Sequence, residues 1–356
     1  MEYMSARDAA GLWGISQRRV SILCAENRIE GVSRVGNMWL IPTVAQKPID
    51  GRSLRYIKEK SMVVKPFIKW AGGKGQLLSE IRKTYPPNLG DSITKYAEPF
   101  VGGGAVLFDV LSNYPGITQV YISDINAELI NTYTMIRDNC VDLIQRLQTL
   151  KAEYMESAEQ KEYYYQKRNE FNHLKVNGDI AENLEKAALF IFLNKTCFNG
   201  LYRVNRKGGF NVPMGSYKNP TICDEDNLKK ISQLLKKVTI VCGDYKESAD
   251  FIDENTFVYF DPPYRPLTET ASFTSYTEDG FSDDKQAELA RYVKALTDKG
   301  AKVVLSNSDP KNTNEHDDFF DELYASFNIN RISATRMINS NAASRGKISE
   351  LLIANY

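Results

Sequence analysis

Tyr96-Ala97-Glu98-Pro99-Phe100-Val101-Gly102-Gly103-Gly104-Ala105 reads as a strand, a glycine turn, and a helix that continues through about Leu111. Glycines at such a turn let a ligand approach the backbone at the carboxyl end of a strand, where open α/β sheets bind their ligands. Further along the chain, apolar strand runs at 119–123, 238–242, 257–260 and 302–306 alternate with helical patterns at 126–150, 226–237 and 283–298. That alternation predicts an α/β fold with a mostly parallel, doubly wound, Rossmann-like sheet. A tyrosine-rich helical stretch, about 154–195, interrupts the alternation. It runs into a polar, glycine-rich piece ending near Pro220.

With 356 residues the chain is long enough for two or three domains, and 42% hydrophobic with 25% charged residues is the balance of an ordinary globular protein. The formal net charge is zero, so any nucleic-acid surface must be local. No apolar run reaches membrane-spanning length, and Met1-Glu2-Tyr3-Met4 does not open a signal peptide. The five cysteines are scattered, which suits a reducing cytoplasm and offers no disulfide frame or zinc spacing. His173 and His316 stand far apart without ligand neighbours, so no metal centre is expected.

The N-terminal segment reads as a small module. Ser5 is placed to cap a helix over 6–13, Gly14-Ile15 to turn, and Ser16 to cap a helix from Gln17 to about Glu26. Residues 32–42 alternate as a short hairpin with Gly36-Asn37 at its turn. Two helices and a wing are similar to the helix-turn-helix of excisionase and MerR-type regulators, with Arg18, Arg19 and Arg34 where phosphates or base edges are touched. A packing or dimerisation module with solvated arginines is the plainer alternative. The following stretch is polar and charged, contains Pro48 and Gly51, and reads as a linker.

Asp261-Pro262-Pro263-Tyr264 closes the strand run Thr256-Phe257-Val258-Tyr259-Phe260. The prolines carry no N–H, and each forces the residue before it into an extended shape. The corner therefore offers acceptors, which suit both hydrogens of an amino group on a nucleobase and leave the nitrogen lone pair free. A negative charge there favours the positive charge forming on that nitrogen, and Tyr264 adds a flat face for an unstacked base. A strand ending in a proline turn shows the same four residues, so the other motifs have to decide. Asp124 falls 20 residues after Gly104, the spacing at which an acid reaches ribose hydroxyls. The glycine pattern is not G-x-G-x-x-G, which suits an adenosyl ligand without a pyrophosphate better than a dinucleotide. Upstream, Pro66-Phe67-Ile68-Lys69-Trp70-Ala71-Gly72-Gly73-Lys74 lacks the P-loop order, since Gly75 follows Lys74.

In this order the three segments resemble the Dam-type DNA adenine-N6 methyltransferases, particularly the GATC-modifying enzymes of restriction–modification systems. The likeness runs from about Pro66 to Tyr356. It includes Phe198-Asn199-Gly200-Leu201-Tyr202-Arg203-Val204-Asn205, Phe210-Asn211-Val212-Pro213, Gly215-Ser216-Tyr217-Lys218-Asn219-Pro220, Phe273-Thr274-Ser275-Tyr276, Leu305-Ser306-Asn307-Ser308 and Arg345-Gly346-Lys347-Ile348-Ser349-Glu350. It implies S-adenosyl-L-methionine as cofactor, bound by Trp70, Lys74, Phe100, Gly102, Gly103, Gly104, Asp124, Asp244 and Asp261, with Asp261, Pro262 and Tyr264 catalytic. It also implies target recognition in double-stranded DNA by Lys69, Asn199, Leu201, Arg203, Pro213 and Tyr217, with GATC as the target. The expected organisation is a helix-turn-helix over 1–46, a linker over 47–64, a catalytic domain over 65–153 and 221–356, and a target-recognition insertion over 154–220. A monomer is implied, with room for a cognate restriction endonuclease, in a bacterial or phage-derived protein of the cytoplasm associated with the nucleoid.

From Lys195 to Cys223 there are five basic residues, Lys195, Arg203, Arg206, Lys207 and Lys218, and no acidic one. Phe198, Tyr202, Phe210 and Tyr217 are interleaved with them, as in a surface that holds phosphates and meets bases. Arg206-Lys207-Gly208-Gly209 looks like a hairpin tip. Similar Pro-Pro-aromatic corners also serve methylation of RNA bases or protein glutamine. A third reading is a DNA-binding regulator carrying an inactive methyltransferase body.

Overall fold

The structure is a computed structural model that describes residues 3–26, 29, 31–36, 38–45, 47, 64–265, 281–335 and 347–356. Asn37, most of the linker, the Phe273-Thr274-Ser275-Tyr276 match and Arg345-Gly346 lie outside the described residues. Two compact units form, Met1–Val63 and Val64–Tyr356.

In the first unit, strand β1 (Tyr3–Ser5) leads into helix α1 (Ala6–Trp13), then α2 (Gln17–Ala25) and a hairpin of β2 (Ser33–Val35) and β3 (Met38–Pro42). Ser5 caps α1 in a reciprocal box with Asp8, and Gly14 ends it at φ 62°, the left-handed conformation that glycine adopts freely. Ala9, Val20, Leu23 and Ile41 fill a small core. The hairpin gains a third strand that the sequence reading lacks, because β1 pairs with β3. Three residues are too short to show a period.

The second unit is built on a seven-stranded sheet in the order β6-β5-β4-β7-β8-β10-β9. Its strands are β4 (Lys95–Pro99), β5 (Gln119–Asp124), β6 (Val238–Cys242), β7 (Thr256–Phe260), β8 (Lys302–Ser308), β9 (Asn328–Thr335) and β10 (Lys347–Ala354). β6, β5, β4, β7 and β8 run parallel, while β10 and β9 are antiparallel to their neighbours. Side chains alternate between two apolar layers: Tyr96, Phe257 and Tyr259 join one, and Ala97, Val258 and Phe260 the other. Burial on both faces is why β7 reads as an unbroken apolar run.

The first layer is covered by α3 (Ala105–Asn113), α4 (Ala127–Asp138), α5 (Cys140–Glu156), α6 (Gln160–Asn177), α7 (Asn183–Thr196) and α8 (Glu225–Leu235). The second is covered by α9 (Asp283–Asp298) and the short helix Phe319–Leu323. The single helix expected over 126–150 is two helices, because Asn139 leaves helical geometry at φ −126° and ψ 36°. Residues Ala187–Leu193 of α7 are buried all round, so this helix is a core element packed on α4, α5 and α6. Among the described residues no helix is long and apolar enough to cross a membrane.

Strand β4 bonds to β5 on one side and β7 on the other. The winding reverses there, and the crevice outside the carboxyl ends of β4 and β7 is where a sheet of this kind takes its ligand.

Candidate active site

The glycine turn leaves β4 in a strained conformation. Phe100 sits at φ 87°, a value rare for a residue with a side chain, and Gly102 and Gly104 follow at φ 48° and φ 71°. Backbone N–H groups of Phe100 and Val101 both donate to Ser123 O, at 2.9 and 3.0 Å, tying the turn to the end of β5. A Cβ on Gly102 would lie 2.8 Å from Trp70 Cδ1, so only glycine lets the turn meet the indole this closely. Tyr133 Oη donates to Gly102 O at 3.0 Å. Phe100 stacks on Tyr245 with centroids 5.3 Å apart and meets Phe281 edge-on at 5.9 Å.

Asp124 stands at the end of β5, one strand over. Its carboxylate accepts from Gly102 N at 3.1 Å and Asn126 N at 3.0 Å. Burial raises its pKa, and those backbone donors oppose the rise. Ile125, beside it, is 61% exposed, an apolar side chain left open at the crevice that the sequence reading passed over. Asp244 is linked less directly: Gly243 N donates to Asp124 O at 3.1 Å, while the Asp244 carboxylate caps the turn Tyr245–Asp250 through Lys246 N.

The proline corner follows β7, adjacent to the glycine turn. Lys74 Nζ lies 2.7 Å from Asp261 Oδ1, donates to Gly72 O at 2.6 Å, and sits 4.7 Å from the centre of the Tyr264 ring. The segment 66–74 thus contacts both strand ends, with Trp70 against the glycine turn and Lys74 on the Asp261 carboxylate. Burial raises the Asp261 pKa, Lys74 opposes that shift, and Glu350 adds to it. The Tyr264 hydroxyl, protonated because burial lifts its pKa far upward, donates to Glu350 Oε2 at 2.8 Å.

Behind the corner a polar clamp holds the backbone. Gln286 Nε2 donates to Pro263 O at 3.1 Å, Arg265 N to Asn307 Oδ1 at 3.1 Å, and Ser308 Oγ to Arg265 O at 2.9 Å. Asn307 Nδ2 in turn donates to Gln286 Oε1 at 3.1 Å. The Pro262 carbonyl accepts no hydrogen bond from the described residues. Beneath it, Glu98 is 2% exposed, accepts from Tyr96 Oη at 2.7 Å, and has its carboxyl pushed up to about 8 by burial.

A second cluster adjoins the first through Lys69 and Trp70. Asn194 on α7 is a buried amide that accepts from Lys69 N at 2.9 Å and donates to Lys69 O at 2.8 Å and Gly200 O at 3.0 Å. Lys69 Nζ lies 5.2 Å from the Tyr217 ring centre, and Phe198 N donates to Pro213 O at 2.8 Å. Asn199 takes φ 57°, the other described non-glycine residue with positive φ. Leu201 is half-buried against the main core, and Trp70 stacks on Tyr202 at 5.5 Å. Arg203 is exposed, with Nε donating to Asn211 Oδ1 at 2.8 Å, and Val204 pairs with Phe210 around a tip that turns at Gly208. Lys195 departs from the basic run: it lines a small cavity with Pro66, Phe67 and Asp224, where burial lowers its pKa.

Residues 70–338 match the family model of the D12 class N6 adenine-specific DNA methyltransferases. The chain belongs to that family. Type II methyltransferase M.MjaIII of Methanocaldococcus jannaschii is 50% identical over 299 residues, 83% of this chain and 100% of that protein. Type II methyltransferase M1.LlaDCHI of Lactococcus lactis subsp. cremoris is 39% identical over 305 residues, 85% and 99% of the two chains. A DNA adenine methylase of Escherichia coli (strain K12) is 33% identical over 286 residues, 80% and 93%. The protein is an adenine-specific DNA methyltransferase, and S-adenosyl-L-methionine is its methyl donor.

The crevice of the methyltransferase fits that donor. A Cβ at Gly102 would run into Trp70, so the turn brings its backbone close to the indole at the strand ends, and an acid stands at the end of each neighbouring strand. Glu98, Asn194, Gln286, Asn307 and Glu350 escaped the sequence reading as site residues. Glu98, Asn307 and Glu350 lay inside matched segments without a role, and nothing local to Asn194 or Gln286 marks them.

Proposed function

We propose that the methyltransferase modifies adenine within GATC in duplex DNA, after drawing the base out of the stack. The reading rests on one observation: the acceptor-rich corner Asp261-Pro262-Pro263-Tyr264 and the glycine turn end adjacent parallel strands, and Lys74 contacts Asp261 from a segment that also carries Trp70. When bound, S-adenosyl-L-methionine supplies a methyl group on a sulfonium whose leaving group is a neutral thioether. Trp70, Lys74, Phe100, Gly102, Gly103, Gly104, Asp124 and Asp261 would hold it, with Asp244 at the edge. Asp261 and the Pro262 carbonyl accept the two N6 hydrogens, so the lone pair stays free for in-line attack. The Asp261 charge offsets the positive charge developing on N6. Extrusion of the base costs a few kcal/mol, which Tyr264 offsets by stacking.

Lys69, Asn199, Leu201, Arg203, Pro213 and Tyr217 form the recognition face, and Arg203 suits a guanine edge, a contact giving about 1–3 kcal/mol of discrimination. The exposed start of α2, Gln17 and Arg18, suits a helix-turn-helix contact with DNA. The names of M.MjaIII and M1.LlaDCHI support a place in restriction–modification, and a monomer associated with the nucleoid is the simplest form of such an enzyme. Sequencing modified adenines in DNA from cells expressing this chain tests the target. Methylation confined to GATC supports it, and methylation at another motif overturns it.

A further inference from the structure

The mechanism above uses the ring of Tyr264 but leaves its hydroxyl unexplained, together with the carboxylate that holds it. Glu350 lies within β10, paired with Ser308 of β8 on one side and Ile332 of β9 on the other, so its backbone is fixed within three strands. Next to it, Ser349 bonds Asp309 and Asn312, which secures the same strand to the turn after β8. From this mount Glu350 Oε2 accepts the Tyr264 hydroxyl at 2.8 Å, while the Lys74 ammonium stands 4.7 Å from the ring centre. The proline corner itself is held at its backbone by Gln286, Asn307 and Ser308, through bonds to Pro263 and Arg265 rather than to the ring. A tyrosine side chain turns about two bonds, and an anchor at its far end is what stops the ring swinging when a base arrives.

We propose that Glu350 is a positioning residue for base capture: it fixes the Tyr264 ring in the stacking orientation through the phenol hydroxyl. The inference rests on the reading of Tyr264 as the stacking platform. A carboxylate acceptor also enriches the ring in electron density, which strengthens its contact with the Lys74 ammonium. Lys74 and Glu350 then hold the ring from its face and its edge, and Asp261 keeps its ion pair until the amino group is presented.

The test is a double-mutant cycle on single-turnover methylation of a GATC duplex, since misplacing a reacting group costs up to about a hundredfold in rate. Glu350→Ala and Tyr264→Phe should each slow methyl transfer about tenfold, with duplex affinity changed less than about twofold. The double variant should be no slower than either single variant. Glu350→Gln keeps an acceptor oxygen and should recover most of the rate. Rates at the wild-type level in Glu350→Ala or Tyr264→Phe, or fully multiplicative losses in the double variant, would overturn the proposal. Should Glu350→Ala fail to fold, Tyr264→Phe and Glu350→Gln still decide: wild-type rate in the first, or a full loss in the second, overturns it. Tyr264→Ala separates the two levels, because full activity there defeats the stacking reading itself.

Discussion

Burial disfavours the charge of Asp261, the charge of Glu350 adds to that tendency, and Lys74 opposes it. Glu98 adds little negative charge at neutral pH because its carboxyl titrates near 8. The consequence for stability has a definite sign. Between the ordinary value of 4.5 and about 8, the folded protein keeps a proton on Glu98 that the unfolded chain has lost. Each pH unit in that window therefore costs the folded state about 1.4 kcal/mol from this group. Glu98→Gln, which cannot ionise, should gain stability over the wild type steadily from about pH 5 to about pH 8 and level off above. Urea unfolding at several pH values checks this, and a constant difference across the window would contradict it. If the proposed readout holds, Arg203→Ala should lose or relax sequence preference by about 1–3 kcal/mol at one base pair, as measured by methylation of single-mismatch duplexes. Unchanged selectivity would remove Arg203 from the readout. Asp261, Asp124 and the glycines were legible in the sequence because their chemistry is carried by neighbours in the chain. Glu98 and Glu350 were not, since their meaning comes from burial and from a tyrosine 86 positions away.

At the scale of elements, the corner is held by β8 and α9 more than by its own prolines. Gln286 and Asn307 are both fully buried, and their amides close a chain from Pro263 O to Arg265 N. Gln286→Leu keeps the volume but leaves the Pro263 carbonyl and the Asn307 amide without a partner. It should cost about 1–3 kcal/mol of stability and lower kcat more than it raises KM. Chemical denaturation and steady-state kinetics measure the two effects, and an unchanged kcat would mean the clamp is not needed for geometry. Strands β5, β7 and β8 were readable because both faces are buried, and β6, an edge strand with Thr239 and Cys242 exposed, because its apolar run is bounded by turns. The hairpin of β9 and β10 was not: a helix of only five residues, Phe319–Leu323, leads into it, and β9 is an edge strand with Asn328, Asn330, Arg331 and Ser333 exposed. The split at Asn139 was hidden for a different reason. The apolar spacing of α4 continues into α5, so periodicity alone shows no break.

For the whole molecule, two compact units form, Met1–Val63 and Val64–Tyr356. The family likeness and the curated relatives account for the second unit. The family match, residues 70–338, falls entirely within that unit. Removing residues 1–63 should therefore leave the catalytic rate constant on short duplexes within about twofold. It should also weaken DNA binding and flatten its salt dependence by the phosphate contacts that are lost. Binding titrations at several salt concentrations check this, and an unchanged slope would show that the module does not touch DNA. The tyrosine-rich stretch was harder to place from sequence, because its last helix, α7, is apolar on every side and belongs to the main core.

The most direct measurement is nucleoside mass spectrometry of a GATC duplex incubated with S-adenosyl-L-methionine and either the wild type or Asp261→Ala. The wild type should yield N6-methyladenine, and Asp261→Ala should yield none while still binding the duplex. N6-methyladenine formed by Asp261→Ala at the wild-type rate would contradict the proline corner as the site of methyl transfer.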